Sequence, residues 1–219
     1  MLNKIFKELF EYFGEQNWWP AETKFEVIIG AILTQQAAWK QVEKSIENLK
    51  KENLLSAKNL AMANPIHVQK LVRSSGFYKQ KSKRIIDFSK YLVDKYAGDL
   101  EKFFDKTVVE LRKELLEING IGKETADSII LYAADKLIFP IDAYTFRIFE
   151  RIGLTSGKNY DSVQQLVQSE LKEDLKIYGE FHALLVKLGK TFCKTKPVCD
   201  GCPIKECKNR MKIKSQHLS

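Results

Sequence analysis

Apolar residues recur at three- and four-residue spacing through almost the whole chain, and no stretch alternates apolar with polar residues as a strand would. The pattern predicts about ten helical segments and an all-α fold. Leu2 to Phe13 forms an amphipathic helix with Ile5, Leu9 and Tyr12 or Phe13 inward, ended by Gly14. A second runs from about Ala21 to Thr34 with Phe25, Ile28, Ile29, Ile32 and Leu33 on one face. Gln35-Gln36-Ala37-Ala38-Trp39 interrupts the pattern, and Val42, Ile46 and Leu49 mark the next helix. Asn64-Pro65 has the form of an N-cap with proline at the first helical position. Ser75-Gly76-Phe77-Tyr78 reads as a turn, followed by a basic helix from Lys79 to Tyr96. Thr107 to Glu110 has capping-box form and opens a helix that leads to Gly120-Ile121-Gly122. Helices are then expected from about Lys123, at Tyr144–Ile152, at Asp161–Tyr178 and at Gly179–Lys190.

At 219 residues the chain can bury a substantial core, as one domain or two packed lobes, and it has no internal repeat, low-complexity stretch or long linker. A hydrophobic fraction of 44% excludes a disordered chain. A formal charge of +8 favours a polyanionic partner. No apolar run approaches the ~20 residues that span a bilayer. The N-terminus mixes charge with apolar residues at helical spacing, unlike a signal peptide. A cytoplasmic, nucleoid-associated monomer (or, in a nucleated cell, a nuclear one) is expected, with no membrane partner.

The candidate chemistry begins at the glycine pair. A hairpin as tight as Gly120-Ile121-Gly122 needs glycine where the backbone takes φ > 0 or approaches another group closely. The helix it opens starts at Lys123, Glu124 and Thr125 with N–H groups unpaired, which suits a DNA phosphate. A plain helical hairpin has the same pattern. Asp142, after Pro140-Ile141 at the head of another helix, is a lone acid that reads as a catalytic carboxylate or as an N-cap, and the two are compatible. Trp18-Trp19-Pro20 and Trp39 read as core packing or as an aromatic pocket for a base taken out of the stack. Gln35 and Gln36 can hydrogen-bond to base edges, and Phe77 at a turn can wedge between base steps. Solvated glutamines and an apolar cap are the plainer reading. Lys79, Lys81, Lys83 and Arg84 follow the turn and could meet the backbone, or simply form a solvated face.

All four cysteines, Cys193, Cys199, Cys202 and Cys207, fall close together at x5, x2, x4 spacing, which argues for a shared metal centre and against a distributed disulfide framework. Spacing alone leaves a zinc knot and an iron–sulfur cluster both open. From Lys190 onward the chain carries eight Lys/Arg against two acids, so this end could also press on phosphates.

Taken together, the ILTQQ segment, GFYKQKSKRI, the GIGKETAD hairpin, Asp142, GEFHALLVKLGKTFC and the cysteines resemble the helix-hairpin-helix-Gly/Pro-Asp superfamily of DNA glycosylases that includes endonuclease III. The resemblance covers most of the chain. It implies a two-lobed all-α fold: a six-helix barrel lobe over residues 24–136, with the hairpin at 115–135, and a second lobe of residues 1–23 and 137–219. The active site is implied between the lobes. It also implies a [4Fe-4S] cluster in the loop 193–207, with zinc as the alternative, since the familiar spacing is x6, x2, x5 and both outer gaps here are one shorter.

In bifunctional endonuclease III the hairpin reads G-x-G-x-K-T-A, and its lysine attacks the sugar. Here that position is Glu124, and a carboxylate forms no Schiff base. Lys123 is about 100° further round the helix. The resemblance therefore implies a monofunctional enzyme with water as nucleophile. The hairpin, Trp18-Trp19-Pro20 and Trp39 are similar to the methylpurine (3-methyladenine) branch. A cationic alkylated purine leaves easily and needs a π-rich cage, each well-placed ring giving ~0.5–2 kcal/mol. Asp142 would stabilise the oxocarbenium-like sugar, and Glu124 would line the pocket or merely begin a helix. The expected partner is double-stranded DNA with damaged bases. Three alternatives stand beside this: an endonuclease III-like enzyme for oxidised pyrimidines using another lysine, an adenine-mismatch glycosylase, for whose extra C-terminal domain the residues after Cys207 are expected to be too few, and a non-catalytic DNA-binding module.

Overall fold

The computed structural model describes residues 1–157 and 159–208. Its α-helices are α1 (Leu2–Phe13), α2 (Lys24–Thr34), α3 (Trp39–Lys51), α4 (Ala57–Met62), α5 (Pro65–Leu71), α6 (Tyr78–Tyr96), α7 (Leu100–Phe104), α8 (Val108–Glu117), α9 (Lys123–Tyr132), α10 (Ala143–Ile152), α11 (Tyr160–Glu170) and α12 (Leu175–Thr191). Among the described residues there is no strand, and no helix is long and apolar enough to cross a membrane. The basic residues Arg210, Lys212 and Lys214 of the expected phosphate-facing tail lie outside the described residues.

The chain forms two compact units, residues 19–136 and residues 1–18 with those from 137 on. In the first, α2 is the central element. It is buried from Phe25 to Leu33 and packs against α3, α6 and α9. It starts later than the hydrophobic pattern suggests. Thr23 is extended and its side chain accepts from the Glu26 N–H at 3.1 Å, so the cap, not the apolar periodicity, sets the helix start at Lys24. The Glu26 carboxylate then takes the Glu22 N–H (3.0 Å) and pairs with Lys50 (2.9 Å). α4 and α7 are too short to register as a period. Each depends on its cap: Ser56 accepts from the Asn59 N–H, and Asp99 accepts from Glu101 and Lys102. The Thr107–Glu110 capping box is formed as read.

In the second unit, Leu2, Ile5 and Leu9 of α1 are buried, and α1 packs against α11 and α12. The expected helix over Asp161–Tyr178 is two helices. α11 ends at Glu170, Leu171 is extended, and Asp174 caps α12 by accepting from Ile177 N at 3.1 Å. α12 then runs straight through Gly179, where the sequence suggested a start. A Cβ at Gly189 would run into the Tyr144 ring, so glycine there lets α10 and α12 close on each other.

Candidate active site and cysteine loop

Asp142 stands in extended conformation as the N-cap of α10. Its Oδ1 accepts from Thr145 N (2.7 Å) and from Thr145 Oγ1 (2.8 Å), and the residue is 7% exposed. The backbone before it is fixed by Ile141 N–H donating to the Tyr160 hydroxyl at 3.1 Å. Both sequence readings of Asp142 are therefore compatible, since capping uses one oxygen and leaves the other. Oδ2 lies 3.9 Å from His182 Nε2 on α12. Burial pushes the His182 pKa down against the opposing pull of Asp142, so the imidazole is neutral at pH 7 and does not cancel the carboxylate charge. Burial raises the Tyr144 pKa, with help from Asp142, and lowers that of Lys190, which Asp142 opposes. His182 was not legible in the sequence as a site residue. Its signal is the seven-residue spacing to Gly189 on a long helix, which means nothing until α10 is placed beside α12.

In the 19–136 unit the structure gathers an aromatic group. Trp19 meets Trp39 edge-on, ring centres 5.4 Å apart at 89°, and Tyr132 at 5.4 Å and 57°. Its indole lies over Gly30 of α2, where a Cβ would sit 3.2 Å from Nε1. Trp19 and Trp39 are half-buried, Pro20 is exposed, and Trp18, in the other unit, is half-buried. Tyr132 was missed. It falls seven residues after Thr125, on the side of α9 that packs on α2, and that period was the available signal.

Three loops of the same unit carry the residues read as DNA contacts. Gln36 is exposed with φ 53°, and Phe77, the αL cap of α6, has φ 44° and is 61% exposed. Gly120 has φ 88°, and a side chain there would also run into Arg84. Gly122 caps α9 with no side chain, while Lys123 and Glu124 are exposed. Gln35 and Thr125 are placed differently from Gln36. Gln35 Nε2 donates to Gly120 O (2.9 Å) and to Thr125 Oγ1 (3.0 Å), and its Oε1 accepts from Arg84. Its amide is engaged inside the protein, and Thr125 is buried. Lys79 and Lys83 are exposed as a basic face should be, but Lys81 is buried.

Cys193, Cys199, Cys202 and Cys207 line one small apolar cavity of about 30 Å³ with Ile148, Leu188 and Phe192 among its walls. Burial and the charges of the other three cysteines push the Cys202 thiol pKa up, as expected of a thiol set that a positive centre would have to ionise. Arg151 supplies cation to this loop: Nη1 lies 3.3 Å from Cys193 Sγ and donates to Lys194 O (2.5 Å), and Nη2 donates to Thr195 O (2.8 Å). Arg147 Nε donates to Cys193 O at 2.7 Å. Among the described residues no three ligating side chains close on a single-ion site. Four thiols thus line one apolar hollow, with the Arg151 guanidinium beside one of them.

Residues 29–173 match the HhH-GPD superfamily of base excision DNA repair proteins. A Methanocaldococcus jannaschii protein named "Putative DNA repair glycosylase" is 49% identical over 209 residues, 94% of each chain. Endonuclease III of Thermotoga maritima is 28% identical over 94% of this chain and 91% of its own. Among solved structures, the H. pylori 3-methyladenine DNA glycosylase (MagIII) bound to 1,N6-ethenoadenine aligns with TM-score 0.75 and 31% identity, over 86% of this chain and 97% of that one. A trapped endonuclease III–DNA covalent intermediate aligns with TM-score 0.82 at 21% identity, over 98% and 99%, a likeness of fold.

Proposed function

The chain belongs to the HhH-GPD superfamily of base excision DNA repair proteins and is a DNA glycosylase; on that premise we propose that it releases alkylated purines, 3-methyladenine and 7-methylguanine, from damaged duplex DNA by hydrolysis, leaving the strand intact. The observation that carries the substrate class is the Trp19–Trp39–Tyr132 group, a π-rich surface suited to a flat cationic base. The likeness to a 3-methyladenine glycosylase above 30% identity supports it, while the T. maritima endonuclease III relative supports only glycosylase chemistry.

An alkylated purine already carries the positive charge that weakens its bond to C1′. When that bond breaks, its electron pair neutralises the purine and positive charge develops on the sugar. Asp142 uses Oδ1 for the capping bonds, beside a neutral His182, and leaves Oδ2 to face that charge. Water adds its oxygen to C1′, and its proton passes to the carboxylate or to solvent. The exposed carboxylate of Glu124 offers no amine for a Schiff base. Lys81 is no substitute. Its pKa is lowered to about 8, but its ammonium is engaged by two carbonyls beneath the surface.

The four cysteines would hold an iron–sulfur cluster. It would fasten the loop after α12, which has too few apolar residues to fold by itself, and iron and acid-labile sulfide analysis against zinc would test this.

The deciding experiment is free-base release from dimethyl-sulfate-treated duplex DNA, resolved by chromatography. Release of 3-methyladenine or 7-methylguanine, with strands cut only after alkali, is the expected result, and no release refutes the reading. One observation favours a second reading. Lys190 lies within electrostatic reach of Asp142 and has a lowered pKa, the condition of a nucleophilic amine. It predicts strand cleavage without alkali and a borohydride-trapped adduct lost in Lys190→Met.

A further inference from the structure

Lys81 is 1% exposed, in a basic segment whose other lysines, Lys79 and Lys83, face solvent. A lysine is rarely buried to this degree unless its ammonium has fixed partners. Here they are two backbone carbonyls from different places. Nζ donates to Leu33 O (2.7 Å), near the end of α2, and to Ser75 O (2.6 Å), in the turn before Phe77. Leu33 is two residues before Gln35, and Ser75 is two before the αL residue Phe77. One turn further along α6, Arg84 donates to Gln35 Oε1, while Gln35 Nε2 reaches Gly120 O (2.9 Å) and Thr125 Oγ1 (3.0 Å). The Arg84 stem also fills the space over Gly120 that a Cβ would need. Residues three apart lie on one face of a helix. So a single face of α6 holds the Gln35-Gln36 loop, the Phe77 turn and the Gly120 hairpin.

We propose that the Lys81–Arg84 face of α6 is a positioning device that sets the mutual spacing of the three DNA-facing loops, with Lys81 as its principal tie. This rests on the reading of those loops as DNA contacts. Both loop residues that project, Gln36 and Phe77, have positive φ without being glycine. Such conformations persist only where the surroundings over-determine them. The Lys81 ammonium supplies that constraint from beneath, by holding the carbonyls that precede each strained residue. It touches no DNA itself. Gln35, whose amide is engaged in the same network, is a strut, which leaves Gln36 as the glutamine that can reach a base edge.

The test uses the full chain and lesion duplexes with 2-aminopurine beside the damaged base, whose fluorescence reports unstacking independently of base release. Phe77→Ala serves as the comparator. Lys81→Met keeps the stem and removes the donors, and Lys81→Gln restores an uncharged pair of N–H donors. The expected result is a folded Lys81→Met protein whose unstacking signal falls and whose KM for duplex lesion rises about tenfold or more, as loop misplacement of an ångström predicts. Release from methylated single strands, which need no wedge, is unchanged, and Lys81→Gln recovers part of the duplex loss. If Phe77→Ala has no effect on unstacking, the DNA reading of the loops fails and the proposal with it. If Phe77→Ala impairs unstacking and Lys81→Met matches wild type, the loops are as read and the positioning role is overturned. If Lys81→Met and Lys81→Gln both unfold, or duplex and single-strand release fall together, Lys81 is a residue of the fold alone, which also overturns it.

Discussion

Replacing Asp142 with asparagine separates the capping role of this residue from the catalytic role proposed for it. Asparagine caps helices about as well as aspartate, so its Oδ1 can still accept the Thr145 N–H now held at 2.7 Å. The fold therefore changes little. What is lost is one negative charge, 7% exposed, with a neutral His182 as neighbour. At an effective dielectric of about 20, a unit charge about 4 Å from the developing cation contributes roughly 4 kcal/mol. That corresponds to about a thousandfold in rate. Single-turnover release of methylpurine should fall by about that factor, while Tm stays within about 2 °C of wild type, less than the shift that 1 kcal/mol gives at this size. Asp142→Ala should lose the rate and the cap together, adding about 1 kcal/mol of instability. A folded Asp142→Asn protein within about tenfold of the wild-type rate would refute the electrostatic role, since a charge worth under about 1.4 kcal/mol is not stabilising the transition state.

The remaining predictions concern separate parts of the molecule. Gly30→Ala places a Cβ 3.2 Å from Trp19 Nε1. Helix propensity favours it by about 1 kcal/mol, so thermal stability should hold while tryptophan emission shifts and methylpurine release slows. His182 binds its proton more weakly in the fold than in the unfolded chain. The unfolded state therefore takes up more protons below about pH 6.5, and stability, level above that value, should fall as pH drops beneath it; His182→Gln should flatten that part of a urea-unfolding pH series. Arg151→Met removes the cation from Cys193 Sγ. If the four cysteines hold the proposed iron–sulfur cluster, its reduction potential should fall and its loss to a chelator should quicken, by voltammetry and absorbance. Glu124→Lys costs the start of α9 about 0.3–1 kcal/mol and should introduce a borohydride-trappable adduct with abasic-site duplex.

Much of this molecule can be read directly from its residues, and where that fails the causes are specific. The amphipathic helix α1 and the Thr107 box are local, so the sequence carries them whole. Helix starts were misjudged where a cap overrode the apolar period, at Thr23 and at Asp174. The tryptophans, the hairpin and Asp142 were legible because rare residue types stand in a short span. His182, Tyr132 and the buried face of α6 were not, because each acquires its role from a helix distant in sequence. Lys81 is the clearest example. Flanked by Lys79 and Lys83, it reads as one more solvated charge, and only the carbonyls of Leu33 and Ser75 distinguish it.

The buried polar groups serve two different ends. One set fixes geometry. The Glu180 carboxylate takes the Gln16 and Asn17 N–H groups at 2.9 and 3.0 Å, holding the turn that leads into Trp18, as Lys81 and Gln35 hold their loops. In each of these the charge or amide is matched by backbone partners, so its desolvation is offset and its position is narrow. The other set manages charge. Asp142 has strong partners on one oxygen only, and the neighbour of the other oxygen is kept neutral by its own burial. A protonated His182 at 3.9 Å would take up the field that the proposed sugar cation requires, and the burial that keeps the imidazole neutral prevents it. An acid left partly unsatisfied, in a fold where the Glu180 carboxylate and the Lys81 ammonium are matched by backbone partners, is what transition-state stabilisation predicts. On that logic His182→Lys, which sets a cation beside Asp142, should lower Tm because the charge is buried and should also slow base release by the protein that remains folded, whereas a purely structural Asp142 would show the lower Tm with no loss of rate.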